Sequence, residues 1–348
     1  MLLTIYNHII WLLQLIFTNK RFYLAKIGAA LIATTNMPSF EVNIEYIGLH
    51  FTYNNVLSDF FNFVALFIGA FLIYMDTYKI NKNARSASKV FIRGMMGSNS
   101  FPEEIIDKYE KPLTREPVIL GIMESENMDT YKNKAIELFN AEQKVGIYER
   151  FIFNDNCTKI YLGGRARIPF LVAYGTRFKN AGAQIVYYDQ LHRNTKWSLL
   201  NEVSHSISIE KENDINGLTS NSSGEIGLAV SFTTQILETQ LPNSLQNHTL
   251  FIKPNCTQET NLIKNQENLQ AIGQEIKKII ETLHKKNQNI TKIHLFLAIQ
   301  VSLAIEIGRN YQEGMHAEWV VHNFEPSSGG YAWSINISKD SILSNEAL

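Results

Sequence analysis

The chain has 348 residues, with 32 Lys and Arg against 33 Asp and Glu and a formal net charge of -1. That balance carries no basic excess to hold a nucleic-acid polymer by its backbone, although a few placed arginines suffice for a small anion. The two cysteines, Cys157 and Cys256, form neither a CxxC pair nor a zinc spacing, which argues against a disulfide framework or a cysteine-built metal centre and fits a reducing compartment.

The first 93 residues read as a membrane module. In residues 1–19 the polar positions Thr4, Asn7, His8, Trp11, Gln14 and Thr18 recur at three- and four-residue steps through an apolar run. That pattern makes a striped helix lying on the membrane, with a third span as the alternative. Nothing basic precedes the run, so it is no signal peptide. From Ile27 to Tyr78 there is no Lys or Arg, while Lys20, Arg21 and Lys26 precede the stretch and Lys79, Lys82, Arg85, Lys89 and Arg93 follow it. Basic flanks of this kind predict two spans, about 22–37 and 56–78, with both ends in the cytoplasm of a bacterial inner membrane. The first span is short, covering roughly 24 Å at about 1.5 Å per residue. Ala25, Ala29 and Ala33, and then Ala65 and Gly69, place small residues four apart, which lets helices pack closely in lipid. A plain anchor fits the same residues.

Residues 94–116 mix Gly, Ser, Pro and charge and read as a linker. From 117 to 348 short apolar strands alternate with helices. VILGIM (118–123), the segment closing in YLGG, AQIVYYD (183–189), EIGLAVSF, HTLFIKP, KIHLFLAI and AEWVVHNF are strands; 128–144, Ile168–Phe178 and 258–286 are helical. Pro169 sits in a first helical turn, where its missing N–H is harmless. The alternation argues for Rossmann-like units in two halves, about 117–215 and 225–348.

The halves look like copies. KIYLGGRARIPFLVAYGTRF lies on KIHLFLAIQVSLAIEIGRNY so that Lys159, Leu162 and Gly175 fall on Lys292, Leu295 and Gly308 at one common offset, and Trp197 meets Trp333 after a small insertion. In such sheets ligands sit beyond the carboxyl ends of the strands. The strand-end turn of the first half, Gly163 to Arg167, then offers Gly163, Gly164, Arg165 and Arg167, and its counterpart Ala298 to Ser302 offers Gln300 and Ser302. Backbone N–H groups at a helix start and arginines pair with phosphate; a tight turn with solvated charges fits the first stretch as well. Lys196 beside Trp197, together with Tyr331 and Trp333, completes the candidate set, the aromatic rings being able to stack on bases.

The duplicated halves, the LGGRA turn, and FLAIQVSLAIEIGR followed by YAWSINI in the second half resemble the SAVED domain, the sensor of bacterial CBASS antiphage systems. The likeness covers roughly Pro117 to Ile337, and with the two spans before it the whole chain resembles the transmembrane-SAVED effectors. The resemblance implies two fused CARF-like halves that bind a cyclic oligonucleotide, usually cyclic tri-adenylate, supplied by a partner nucleotidyltransferase. It also implies head-to-tail self-association on the ligand, and spans that disrupt the bilayer so that the infected cell dies. The fold class expected is a two-span α-helical membrane module joined to an α/β domain of two Rossmann-like halves. No cofactor, metal or nucleic-acid polymer is expected.

Catalysis is not expected. His192, His205, His294 and His322 could supply acid–base chemistry, but none pairs with a carboxylate at a motif spacing. A membrane-anchored nuclease that cleaves its own cyclic ligand is the alternative. A dinucleotide-dependent oxidoreductase needs GxGxxG after a strand, and LGGRAR is not one.

Overall fold

The computed structural model describes residues 23–35, 40–44, 49–53, 59–94, 118–121, 128–146, 148, 152, 157–179, 181–190, 197–203, 205–287, 289–312, 317–338 and 341–345. The expected interfacial helix (1–19) and all but the first residue of the expected linker lie outside them. The chain divides into two units, residues 1–85 with 112–114, and 86–111 with 115–348.

In the first unit, helices α1 (Tyr23–Thr35) and α2 (Asp59–Ser86) are joined through the antiparallel pair β1 (Phe40–Ile44) and β2 (Leu49–Tyr53). The helices meet at two glycines. A Cβ built on Gly28 would lie 2.4 Å from the Gly69 carbonyl oxygen, and one on Gly69 would lie 2.6 Å from the Gly28 oxygen. Only residues without a side chain let backbones approach so closely. The amide of Ala25 donates to a carboxylate oxygen of buried Asp76 at 3.0 Å, occupying one of the N–H groups that a helix start leaves free. Away from this contact, Leu66, Phe67, Ile68, Phe71, Tyr74 and Tyr78 of α2 are exposed. Among the described residues no helix is long and apolar enough to cross a membrane. The 13 residues of α1 reach about 20 Å, against a hydrocarbon core of about 30 Å.

The second unit opens with a departure from the sequence reading. Lys89 and Arg93, taken there as the flank of a span, belong to β3 (Ala87–Arg93), in which Val90, Phe91 and Ile92 are buried. The first half therefore starts at 87 rather than 117. Its five-stranded sheet runs β4 (Val118–Leu120), β3, β5 (Lys159–Arg165), β6 (Gln184–Gln190), β7 (Trp197–Leu199). All pairings are parallel except that of β6 with β7.

The second sheet holds β8 (Ile209–Lys211), β9 (Glu225–Ser231), β10 (Thr249–Pro254), β11 (Lys292–Ala298), β12 (Glu318–Glu325), β13 (Gly330–Ile337) and β14 (Ile342–Asn345), in the order β14-β13-β12-β11-β9-β10-β8. Its inner run β10-β9-β11-β12-β13 repeats β4-β3-β5-β6-β7 strand for strand, with the same single reversal of direction. The interior strands β3, β5, β9 and β11 are near-continuously buried, as strands covered on both faces require.

Among the described residues four helices cover the sheets: α3 (Met128–Val145), α4 (Ile168–Arg177), α5 (Gln266–Lys286) and α6 (Val301–Arg309). The side chain of Asn265 caps α5 by accepting from the Asn268 amide at 2.8 Å, and Leu269, Ile272, Ile276, Ile280 and Leu283 form its buried stripe. Helices α4 and α6, which hold equivalent places in the two halves, pack on each other at Gly175 and Gly308. One apolar core runs through both halves, from Val90, Leu162 and Leu171 to Leu228, Leu295 and Ile305. A polar link crosses it: Tyr187 of β6 donates to Glu306 of α6 at 2.6 Å, and Arg309 pairs with the same carboxylate at 2.8 Å.

Candidate functional site

The carboxyl ends of the parallel strands are set by the register of the two sheets. In the first half β3 ends on Arg93 and β5 on Arg165, which are register partners; in the second half the corresponding pair is Ser231 and Ala298.

Gly163 and Gly164 do not form a turn. They lie within β5 with Arg165, and only Ala166 and Arg167 separate strand from helix. Each glycine makes room for a neighbour. A Cβ on Gly163 would stand 2.4 Å from the Tyr188 ring, and one on Gly164 would stand 2.7 Å from the Ile92 carbonyl oxygen. Tyr188 reaches across the sheet, its hydroxyl donating to the Val90 carbonyl at 2.8 Å. Trp197 stands edge-on to Phe91 and to Tyr188, each at 5.6 Å between ring centres. The face of the sheet that carries Gly163 is therefore floored by Phe91, Tyr188 and Trp197. Side chains alternate along a strand, so Arg93, two residues after Phe91, and Arg165, two after Gly163, project from that same face. Lys196 lies outside the described residues.

Arg167 precedes α4 and stands 3.8 Å from Glu325 at the end of β12. Near it Tyr131 donates to the Gly94 carbonyl; burial pushes the Tyr131 hydroxyl up to about 12, with the Arg167 charge pulling the other way.

Gln300 and Ser302 are engaged in a link between the halves. Ser302 Oγ donates to Asp189 Oδ2 at 2.5 Å, the Ser302 amide to Oδ1 at 3.1 Å, and Gln300 Nε2 to Oδ2 at 2.8 Å. Gln300 also exchanges hydrogen bonds with the backbone of Ile263, at 2.9 and 3.0 Å. Asp189, from the end of β6, thus caps α6 of the other half by accepting from the Ser302 amide, while Gln300 at the cap position makes no side-chain capping bond and reaches only Ser302 Oγ of its own helix, at 3.1 Å. The sequence reading missed Asp189. Its one signal was an acidic residue ending an apolar strand.

The remaining candidates sit in aromatic packing. Trp333 is buried, 5.8 Å from Phe170 of α4 between ring centres, and its Nε1 has no hydrogen-bond partner. Tyr331 packs against Phe296 at 4.9 Å and Phe324 at 5.5 Å, and burial raises its hydroxyl above the ordinary range. The structure therefore places Arg165 on the same sheet face as Trp197, and brings Gln300 together with Ser302 and Arg167 with the carboxylate of Glu325. Buried behind Tyr331, His294 Nδ1 and His322 Nε2 are 2.8 Å apart, with Glu225 3.7 Å from His294 Nε2.

A cavity of about 470 Å³ opens elsewhere, lined by Glu212, Gln235, Glu238, Gln246 and Asn247 among others. With two carboxylates and no cation in its lining it does not suit a phosphate. Among the described residues no group of His, Cys, Asp and Glu could hold a metal ion.

The sequence profile of the family described as SAVED, the SMODS-associated and fused to various effectors sensor domain, matches residues 149–337. No curated protein matches the chain. Among solved structures it is similar to the SAVED/CARF-domain-containing receptor Cap4 of Acinetobacter baumannii. With the cyclic trinucleotide 2'3'3'-cAAA the TM-score is 0.50 at 12% identity, over 81% of this chain and 59% of that one. With 3'3'3'-cAAA it is 0.49 at 13% identity, over the same shares. The first likeness places the chain in the SAVED/CARF fold; the chain spans 59% of the length of the receptor it matches.

Proposed function

The chain belongs to the SAVED family, and on that premise we propose that it is a receptor for a cyclic oligonucleotide second messenger, cyclic tri-adenylate, acting in bacterial antiphage defence of the CBASS type. The observation that carries this reading is the family match over residues 149–337, which takes in β5 to β7 of the first copy and β9 to β13 of the second. A partner nucleotidyltransferase supplies the ligand. The chain itself carries out no catalysis: the buried His294 and His322 rings engage each other rather than an open cleft.

Ligand binding is read as driving head-to-tail association of SAVED domains, and the output as disruption of the inner membrane by the first unit, ending in death of the infected cell. A ligand shifts such an equilibrium only by preferring the assembled state. The close Gly28–Gly69 crossing and the exposed Phe67, Phe71 and Tyr74 of α2 support a lipid-facing hairpin.

Calorimetry of the 348-residue chain with cyclic tri-adenylate and with cyclic dinucleotides, alongside light scattering, tests the reading. Saturable binding with growth in particle size is expected. Absence of binding to all of them overturns it, and hydrolysis of the ligand reverses the assignment to a nuclease.

A further inference from the structure

We infer that Arg93 joins Arg165 to form a two-arginine clamp for one phosphodiester group of the ligand, an inference that rests on the receptor reading above. Strands β3 and β5 are interior, parallel and in register from Ala87↔Lys159 to Arg93↔Arg165. Register partners on neighbouring parallel strands lie about 4.8 Å apart and project to one face. The two guanidinium groups therefore leave the carboxyl edge of the sheet side by side, where ligands of such sheets are held.

Among the described residues neither has a counter-charge. Arg93 Nε is buried without a hydrogen-bond partner, and among the described residues neither Arg93 nor Arg165 makes an ion pair. Three other half-buried cations of this unit do have a carboxylate: Arg167 stands by Glu325, Arg309 by Glu306 and Lys292 by Glu225. Two adjacent, uncompensated guanidinium groups are a poor arrangement for the empty protein and a good one for a phosphate, whose oxygens accept paired N–H bonds from each planar fork.

The duplication sharpens the assignment. The positions equivalent to Arg93 and Arg165 are Ser231 and Ala298. Ser231 is fully buried, and its hydroxyl already accepts from the Ile236 amide at 3.1 Å. The clamp exists in one half only, so phosphate recognition is one-sided, with Phe91, Tyr188 and Trp197 beneath it. The ring packing of that floor fixes the strand ends from which the arginines leave.

The test is calorimetry of the full chain with cyclic tri-adenylate, comparing the wild type with Arg93→Gln, Arg93→Lys, Arg165→Gln and Arg93→Gln/Arg165→Gln. Each Gln variant is expected to weaken binding about tenfold or more, Arg93→Lys to recover part of that, and the double variant to lose less than the product of the singles, as residues gripping one group do. Wild-type affinity in a folded Arg93→Gln variant overturns the clamp while leaving the receptor reading standing. Should Arg93→Gln fail to fold, Arg93→Lys with an unchanged melting temperature and unchanged affinity overturns it equally. If the wild type binds no cyclic oligonucleotide, the receptor reading falls, and pyrophosphate titration followed by tryptophan fluorescence decides the clamp alone. A saturable response lost in Arg93→Gln upholds it, and no response in the wild type removes it.

Discussion

Gly175 and Gly308 face each other where helices α4 and α6 cross, so closely that a Cβ on either would stand 3.0 Å from the other's Cα. The worse contacts are with carbonyl oxygens: 2.2 Å from Ile305 O for Gly175, and 2.0 Å from Val172 O for Gly308. These glycines hold the two halves together, and their equal spacing from the lysines that open β5 and β11 records the duplication. Gly308→Ala is expected to destabilise the chain by about 3 kcal/mol, the upper range for forcing a methyl into a packed contact. Gly182→Ala is the control, since nothing lies within 4 Å of its Cβ; it is expected to change stability by less than about 0.5 kcal/mol. Urea unfolding of both variants measures the difference, and equal midpoints would refute the crossing.

Asp189 offers a second handle on the same junction, by chemistry rather than by shape. Its buried carboxylate receives three donors from the other half: Ser302 Oγ, the Ser302 amide and Gln300 Nε2. Removing it leaves the Ser302 amide and hydroxyl buried without their acceptor, while Gln300 Nε2 keeps the Ile263 carbonyl, so Asp189→Ala is expected to lose about 3 kcal/mol. Ser302→Ala removes the hydroxyl, which donates to Asp189 and accepts from Gln300, but keeps the amide bond, and is expected to lose about 1 kcal/mol. Denaturant midpoints at fixed pH check the ratio; similar losses from the two would mean that the carboxylate matters only through Ser302.

These two junctions mark what could be read from the chain and what could not. The apolar runs of β5, β6, β9, β11 and β12 and the matched glycines of α4 and α6 were legible, because strand burial and helix contact are written in local composition. Strand β3 was not. KVFIR is short, and its basic ends imitate the flank of a membrane span, so only its pairing with β5 reveals it. Gly163 and Gly164 were visible as unusual, but a glycine pair signals lack of space as readily as a turn, and the bulk that requires them belongs to Tyr188 and Ile92 on other strands. Asp189 could not be tied to Ser302 because 113 positions separate them along the chain.

The buried histidine pair gives the chain an acid limb of defined origin. Burial holds His294 down to about 4 from the ordinary 6.5, with Glu225 working against it and Lys292 with it. His322 lies well below 6.5 through burial and the neighbouring His294. In the unfolded chain both titrate near 6.5, so below that pH the unfolded state binds more protons and stability declines. The contribution is complete above about pH 6.5, falls as the pH is lowered and stops falling for His294 below about 4. Between pH 7.5 and 5 His294 alone is expected to cost about 2 kcal/mol, and His322 adds to that loss. In the His294→Asn/His322→Asn variant that loss should shrink, while carboxylate protonation remains. Urea midpoints at the two pH values decide, and an undiminished loss in the variant would clear the pair.

The glycine crossing of the first unit separates sensing from output. Gly69 lies against the backbone of Gly28 with the Ile32 side chain alongside, 2.7 Å from where a Cβ would stand. Leucine at position 69 therefore cannot be seated without driving α1 and α2 apart, and the buried Ala25–Asp76 hydrogen bond would break with them. These residues belong to the first unit, and the arginine edge formed by β3 and β5 belongs to the second. Gly69→Leu is accordingly expected to bind cyclic tri-adenylate with wild-type affinity by calorimetry, yet to release dye from phosphatidylglycerol-containing vesicles at less than about a tenth of the wild-type rate once ligand is added. Equal leakage from both proteins would mean that the hairpin only tethers the receptor. A variant that lost binding as well would show that the two units are coupled before the ligand arrives.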